Sequence, residues 1–227
     1  MKKLLIWVFV LVLAALAGGS YLYSRRQVFV FERLEKDLRG VLGSEIQIEN
    51  KTLATEKIFS EWRVSISKMT VMNPESFGEK PLAVVQDIEV TFNPLAFFQG
   101  KWEIHNASAY LSKCYWITNR EGVLNMAQLP GIKALTSPGT AMAVSSNFEI
   151  NRLEFKYGKL YPQDLNKTES GKTETINFHG KMDVFNHVQN PHLLIQAPVS
   201  AFLNQMNQGS FGLPRGKLQE SIRQFVS

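Results

Sequence analysis

Asp87-Ile88-Glu89-Val90-Thr91-Phe92-Asn93-Pro94 is the stretch whose reading decides the fold. Ile88, Val90 and Phe92 alternate with Asp87, Glu89 and Thr91, so apolar side chains share one face of a strand and polar ones the other. The Asn-Pro pair then stops that strand. Proline cannot donate to a ladder, and it pushes its predecessor toward extended geometry. Pro94 to Gln99 is predicted as a short helical turn with Pro94 at its first position, and Gly100 releases the chain into the next strand.

The same period recurs on both sides of this segment. Ile46 and Ile48 sit between Glu45, Gln47 and Glu49. Trp62, Val64 and Ile66 alternate with Arg63, Ser65 and Ser67; Met69 and Val71 then resume on odd numbers, which predicts a bulge near Lys68. Trp102 and Ile104 alternate with Lys101, Glu103 and His105, with Ala107, Ala109 and Leu111 blurring the end. Phe148 and Ile150 open a strand that Leu153, Phe155 and Tyr157 continue after a slip at Asn151-Arg152. Ile176, Phe178, Met182 and Val184 are expected to face one way, and Leu193 and Ile195 follow Asn190-Pro191. Turns rich in Gly, Pro and Asn divide these runs, Asn73-Pro74 and Asn119 to Gly122 among them.

The expected fold is therefore mainly β. Roughly nine strands would form a curved antiparallel sheet, either an open groove or a closed sandwich or barrel, and closure is the commoner outcome. Leu218, Ile222, Phe225 and Val226 place a helix at the C-terminus. Pro130 to Ser146 and Gln163 to Lys172 read as loops. The chain divides into residues 1–26, a helix and sheet part over 27–129, a loop over 130–146, and a second sheet part with the C-terminal helix over 147–227.

Ahead of the strands lies a different pattern. Leu4 to Tyr23 is a run of uncharged residues between Lys2-Lys3 and Arg25-Arg26. As a helix it would be about 30 Å long, enough to cross a hydrocarbon core. It reads as an uncleaved anchor ended by the two arginines. A cleaved signal peptide with a small-x-small site at Ala15-Leu16-Ala17 is the alternative. Both put the body outside the cytoplasm, and the short basic N-terminus favours keeping the N-terminal side in. A short amphipathic helix follows. Phe31, Leu34, Leu38, Val41 and Leu42 form its apolar stripe, and Gly43 is placed to cap it.

Composition excludes several classes. Cys114 is the one cysteine of the chain, so no disulfide framework or cysteine-rich metal site is available. The formal charge of +5 includes Lys2 and Lys3, and the rest of the excess is scattered, so no nucleic-acid stripe is formed. There is no HExxH helix, P-loop, GxSxG or glycine-rich dinucleotide turn. No cofactor or metal is expected, and the chain does not read as an enzyme. His105 and His179 fall on polar strand positions, His187 and His192 flank a turn, and Cys114 reads as a packed thiol.

The order of these elements resembles the N-terminal part of the AsmA-like proteins of the bacterial envelope. The match runs over Leu4 to Leu129. A membrane helix leads to an amphipathic helix ending Val41-Leu42-Gly43 and the strand Glu45 to Ile48. The strand Trp62 to Met72 enters Asn73-Pro74-Glu75-Ser76-Phe77-Gly78. The strand Pro81 to Phe92 enters Asn93-Pro94-Leu95-Ala96-Phe97-Phe98-Gln99-Gly100, and Gly122-Val123-Leu124-Asn125 comes later. Family members are typically several times longer.

The resemblance implies a single-pass inner-membrane protein with a periplasmic body, whose apolar β-groove is linked to phospholipid movement and outer-membrane homeostasis. It supplies no catalytic residues. The groove candidates are Trp62, Val64, Ile66, Ile88, Val90, Phe92, Trp102, Ile104, Phe148, Phe155, Ile176, Phe178, Met182 and Val184; in a closed domain the same residues would be core. Lys2, Lys3, Arg25 and Arg26 would flank the membrane. The expected partners are the membrane, phospholipid, and envelope proteins or further copies of the chain. A sheet of nine strands spans only about 40 Å, too short to bridge a periplasm alone. A non-catalytic scaffold docking an envelope complex is the alternative function, and an exported enzyme without a recognisable motif the third.

Overall fold

A computed structural model describes residues 20, 24–40, 42–57, 60–129, 147–166 and 175–189. The anchor or signal run Leu4 to Tyr23 and the expected C-terminal helix lie outside the described residues, apart from Ser20. No helix among the described residues is long and apolar enough to cross a membrane.

The chain divides into two compact units, Met1–Leu38 and Arg39–Ser227. Helix α1 covers residues 24–40. Arg33 and Asp37 pair across one of its turns at 3.6 Å, the spacing that brings two side chains together on a helix surface. Gly43 ends the helical segment as the sequence predicts. Its φ is 60°, and its N–H donates to the Arg39 carbonyl at 2.7 Å.

The described residues of the second unit form one open seven-stranded sheet. Its strands are β1 (Ile46–Lys57), β2 (Glu61–Met72), β3 (Pro81–Phe92), β4 (Trp102–Thr118), β5 (Phe148–Asp164), β6 (Ile176–Asn177) and β7 (Met182–Val188). They lie in the order β1-β2-β3-β4-β5, with β6 and β7 sharing the far side of β5. A closed sandwich or barrel is not what forms among the described residues. The sheet is also not wholly antiparallel, because β4 and β5 run parallel from Trp102↔Phe148 to Thr118↔Asp164 without a register break. A tight hairpin would enforce antiparallel pairing. Here the connection from Thr118 to Phe148 is long enough to return the chain to the start of β4.

The turns follow the local chemistry. β2 ends at Met72 and β3 at Phe92, each before an Asn-Pro pair. Helix α2 (Pro94–Phe98) begins on Pro94, and the Asn93 side chain caps it by accepting from the N–H groups of Leu95 and Ala96 at 3.0 and 3.4 Å. Gly100 takes φ 90°, a conformation that favours glycine, and the chain re-enters the sheet.

Cross-strand partners share a face, so the register reveals how that face is built. One row runs Ile46, Val71, Ala83, Cys114, Leu160 and Ile176. Another runs Leu53, Val64, Val90, Ala107, Leu153 and Phe185. Between them the apolar positions change parity in every long strand. In the first three strands the change occurs on one line, where Asn50 and Asp87, both at φ 50°, lie level with Ser67. The slip predicted near Lys68 is thus one point on a fault that crosses three strands and keeps a single face apolar throughout.

Candidate functional site: the apolar face of the sheet

Most groove candidates gather on that face. Ile66 pairs with Ile88, Val64 with Val90, and Trp62 with Phe92; Ile104 partners Phe92 and Ile150. Trp102 pairs with Phe148 at the same end, and Phe155 and Ile176 lie on the same side of β5 and β6. Phe178 packs in the core cluster with Tyr157, their ring centres 6.0 Å apart.

Met182 and Val184 do not belong there. They are 54% and 41% exposed and pair with Lys156 and Glu154 on the polar side. His179 and Gly180, at φ 52° and 74°, form a bulge between β6 and β7. The ladder continues around it through Phe178 N–H to the Gly158 carbonyl and Tyr157 N–H to the Lys181 carbonyl, both at 2.9 Å. Two inserted positive-φ residues reverse the phase, so Asp183 and Phe185 take the apolar side opposite Phe155 and Leu153. The same parity changes hide Ala83, Val85, Leu111 and Leu160 in the sequence; their only signal is an unbroken apolar phase once each slip is allowed for.

Both ends of the face are closed. At one end Leu124, Met126 and Leu129 pack into the cluster with Val71, Leu82 and Tyr157. Asn125 holds this cover in place. It is fully buried, its Oδ1 accepts from the N–H groups of Ile117 and Met126 at 3.1 and 2.9 Å, and its Nδ2 donates to the Tyr115 carbonyl at 2.7 Å. β3 pairs with β4 only as far as Cys114, so the amide substitutes for a missing strand neighbour of Tyr115 and Ile117. The same Nδ2 donates to Asn73 Oδ1 at 2.8 Å. The Asn-Pro turn and the later Gly-x-x-Asn segment, far apart in sequence, meet in this amide pair.

At the other end α2 buries Phe97 against Phe92 and Trp102, with ring centres 5.5 and 5.0 Å apart. Trp62 meets Phe98 edge-on at 5.8 Å. Between these ends the closure is incomplete. Ile88, Val90, Ala107, Ala109, Phe155 and Phe185 are only half-buried. They form an apolar strip about 14 Å across, from β3 to β7, at ordinary strand spacing. Exposed Lys51 pairs with Ile66 at the β1 edge and Asp183 with Phe155 at the β7 edge.

The buried ionisable groups are electrostatically inert near neutral pH. Burial pushes the Cys114 thiol up to about 12, and burial followed by the nearby Asp183 carboxylate raises the Tyr157 hydroxyl. Among the described residues no three His, Cys, Asp or Glu side chains converge on a point that could hold a metal. His179 and His187 are exposed, His105 is half-buried, and His192 lies outside the described residues. Of the residues expected to flank a membrane, Arg25 and Arg26 fall in α1, while Lys2 and Lys3 are outside the described residues. No family model, curated protein or solved structure matches the chain.

Proposed function

We propose that this is a membrane-anchored envelope protein of AsmA-like type that handles phospholipid on the apolar face of its sheet. The observation that carries the reading is the half-buried strip of Ile88, Val90, Ala107, Ala109, Phe155 and Phe185 between two closed ends. A closed core buries such side chains fully. A lipid chain laid across the strip would remove them from water at roughly 25 cal/mol per Å² of apolar surface. Asp183, opposite Phe155 with Lys181 3.8 Å away, offers a polar rim at the strip's β7 edge. The order of motifs from the uncharged run Leu4 to Tyr23 through Asn125 supports the inner membrane as its location and the periplasm as the side of the body.

The scaffold reading has its own support. The row Trp62, Phe92, Ile104, Ile150 and Val188 is buried to 7% exposure or less, as in a domain that binds partners through its outside and never holds lipid. Lipid extraction and mass spectrometry of the full-length protein, purified in a lipid-free detergent, separates the two. Phospholipid retained near one molecule per chain is the expected result. Purified protein that carries none, and takes up none from added vesicles, would leave the scaffold reading in its place.

A further inference from the structure

The opposite, polar face of the sheet gathers positive charge at one end. Lys68, Lys113 and Lys159 surround a trough of about 510 Å³ together with Tyr110, Tyr115 and Tyr161, and no carboxylate lines it. That volume lies within the range of small-ligand sites. Lys113 and Lys159 are direct partners in the parallel β4–β5 ladder. Like charges set opposite each other on neighbouring strands destabilise a sheet. Lys68 has its charge offset by Glu49 at 2.7 Å, but among the described residues no ion pair engages Lys113 or Lys159. Lys156 adds a fourth cation, 5.4 Å above the centre of the Tyr110 ring.

The floor of the trough is built rather than incidental. Tyr115 and Tyr161 are also ladder partners, with rings stacked at 4.9 Å and 17°. Gly158 lets β4 and the Tyr110 hydroxyl come close to β5, since a Cβ there would stand 2.4 Å from the Ser112 carbonyl oxygen and 2.9 Å from that hydroxyl. The strands therefore set two exposed lysines, Lys113 and Lys159, side by side next to three tyrosines.

We propose that this trough binds a phosphate-bearing organic anion. Its oxyanion would sit between Lys113 and Lys159, and its body would rest on the tyrosines. Phosphate suits the arrangement because it carries one negative charge as a diester and close to two as a monoester, and accepts from several donors at once, while lysines engage it as point charges. The proposal does not rest on lipid binding at the other face. The anion has two sources, the headgroup of an anionic phospholipid and a soluble phosphate ester, and both present phosphate oxygens with negative charge.

The test uses the full chain in uncharged detergent, with glycerol 3-phosphate as one probe and micelles doped with phosphatidylglycerol as the other; phosphatidylcholine is the control. At least one anionic probe should raise the Tm, and the gain should shrink with added salt. Lys113→Gln combined with Lys159→Gln should weaken binding about tenfold or more. The unliganded double variant should melt no lower than the parent, because the facing charges are gone. Val90→Glu, on the other face, should keep the full response to glycerol 3-phosphate, which separates this site from the lipid strip. A response to glycerol 3-phosphate alone assigns a soluble ester, and one confined to phosphatidylglycerol assigns a headgroup. No response to either probe, or equal responses from parent and double variant, would overturn the proposal.

Discussion

Asn125→Ala is expected to remove about 3 kcal/mol of stability, although no apolar contact of note is lost. Asn125 is fully buried and makes four hydrogen bonds, two accepted and two donated. Truncation leaves the N–H groups of Ile117 and Met126 and the Tyr115 carbonyl without this partner. Each buried orphan costs about 1–3 kcal/mol, and relaxation recovers part of the sum. For a chain of this size the loss corresponds to a fall in Tm of about 6–12 °C. The assay is urea unfolding of the full-length protein in detergent, followed by tryptophan fluorescence. The slope should be unchanged and the midpoint lowered. Asn73→Ala removes one bond of the amide pair and one to the Lys80 carbonyl at 2.9 Å, in a more accessible position, and should cost about 1 kcal/mol. A loss below about 1 kcal/mol for Asn125→Ala would refute the idea that this amide replaces a strand neighbour.

Three further outcomes follow from the same packing. Gly158→Ala should destabilise by about 2 kcal/mol or more in urea unfolding, because its Cβ would stand 2.4 Å from a backbone oxygen that cannot swing away. Met182→Lys and Val184→Lys should change stability by less than about 0.5 kcal/mol, since both side chains are exposed on the polar side. Cys114 should resist thiol reagents in the folded protein at pH 8 and react at the rate of unfolding. Its thiol titrates near 12 when folded and near 9.0 when exposed, so the folded chain holds the proton longer. The contribution to stability is complete below pH 9 and lost progressively as pH rises toward 12, with Tyr157 acting in the same direction.

The strands and their turns were legible because their signals are local. Ile88, Val90 and Phe92 alternate cleanly, and Asn93-Pro94 and Gly100 punctuate them with residues whose backbone preferences leave few options. Phase slips at Lys68 and at Asn151-Arg152 were legible as well. The bulge at His179-Gly180 was not, because His179 adopts a positive φ that its residue type does not announce. Met182 and Val184 were therefore assigned to the wrong face. The parallel pairing of β4 with β5 was hidden for a different reason: it depends on where a long connection returns, and periodicity carries no information about that. The Asn73–Asn125 contact, 52 residues apart in sequence, is equally non-local. Each asparagine alone reads as a turn residue.

The most direct test of lipid handling on the apolar face compares Val90→Glu with Phe178→Glu in one preparation, reading retained phospholipid by mass spectrometry and folding by Tm. Val90 is half-buried in the strip, whereas Phe178 is 6% exposed in the closed core. Phe178→Glu buries an unpaired charge and should unfold the body, at a cost of several kcal/mol. Val90→Glu should leave its carboxylate solvated, so the protein stays folded with a Tm within a few degrees of the parent and loses its phospholipid. Val90→Glu protein that folds and retains as much phospholipid as the parent would contradict the account.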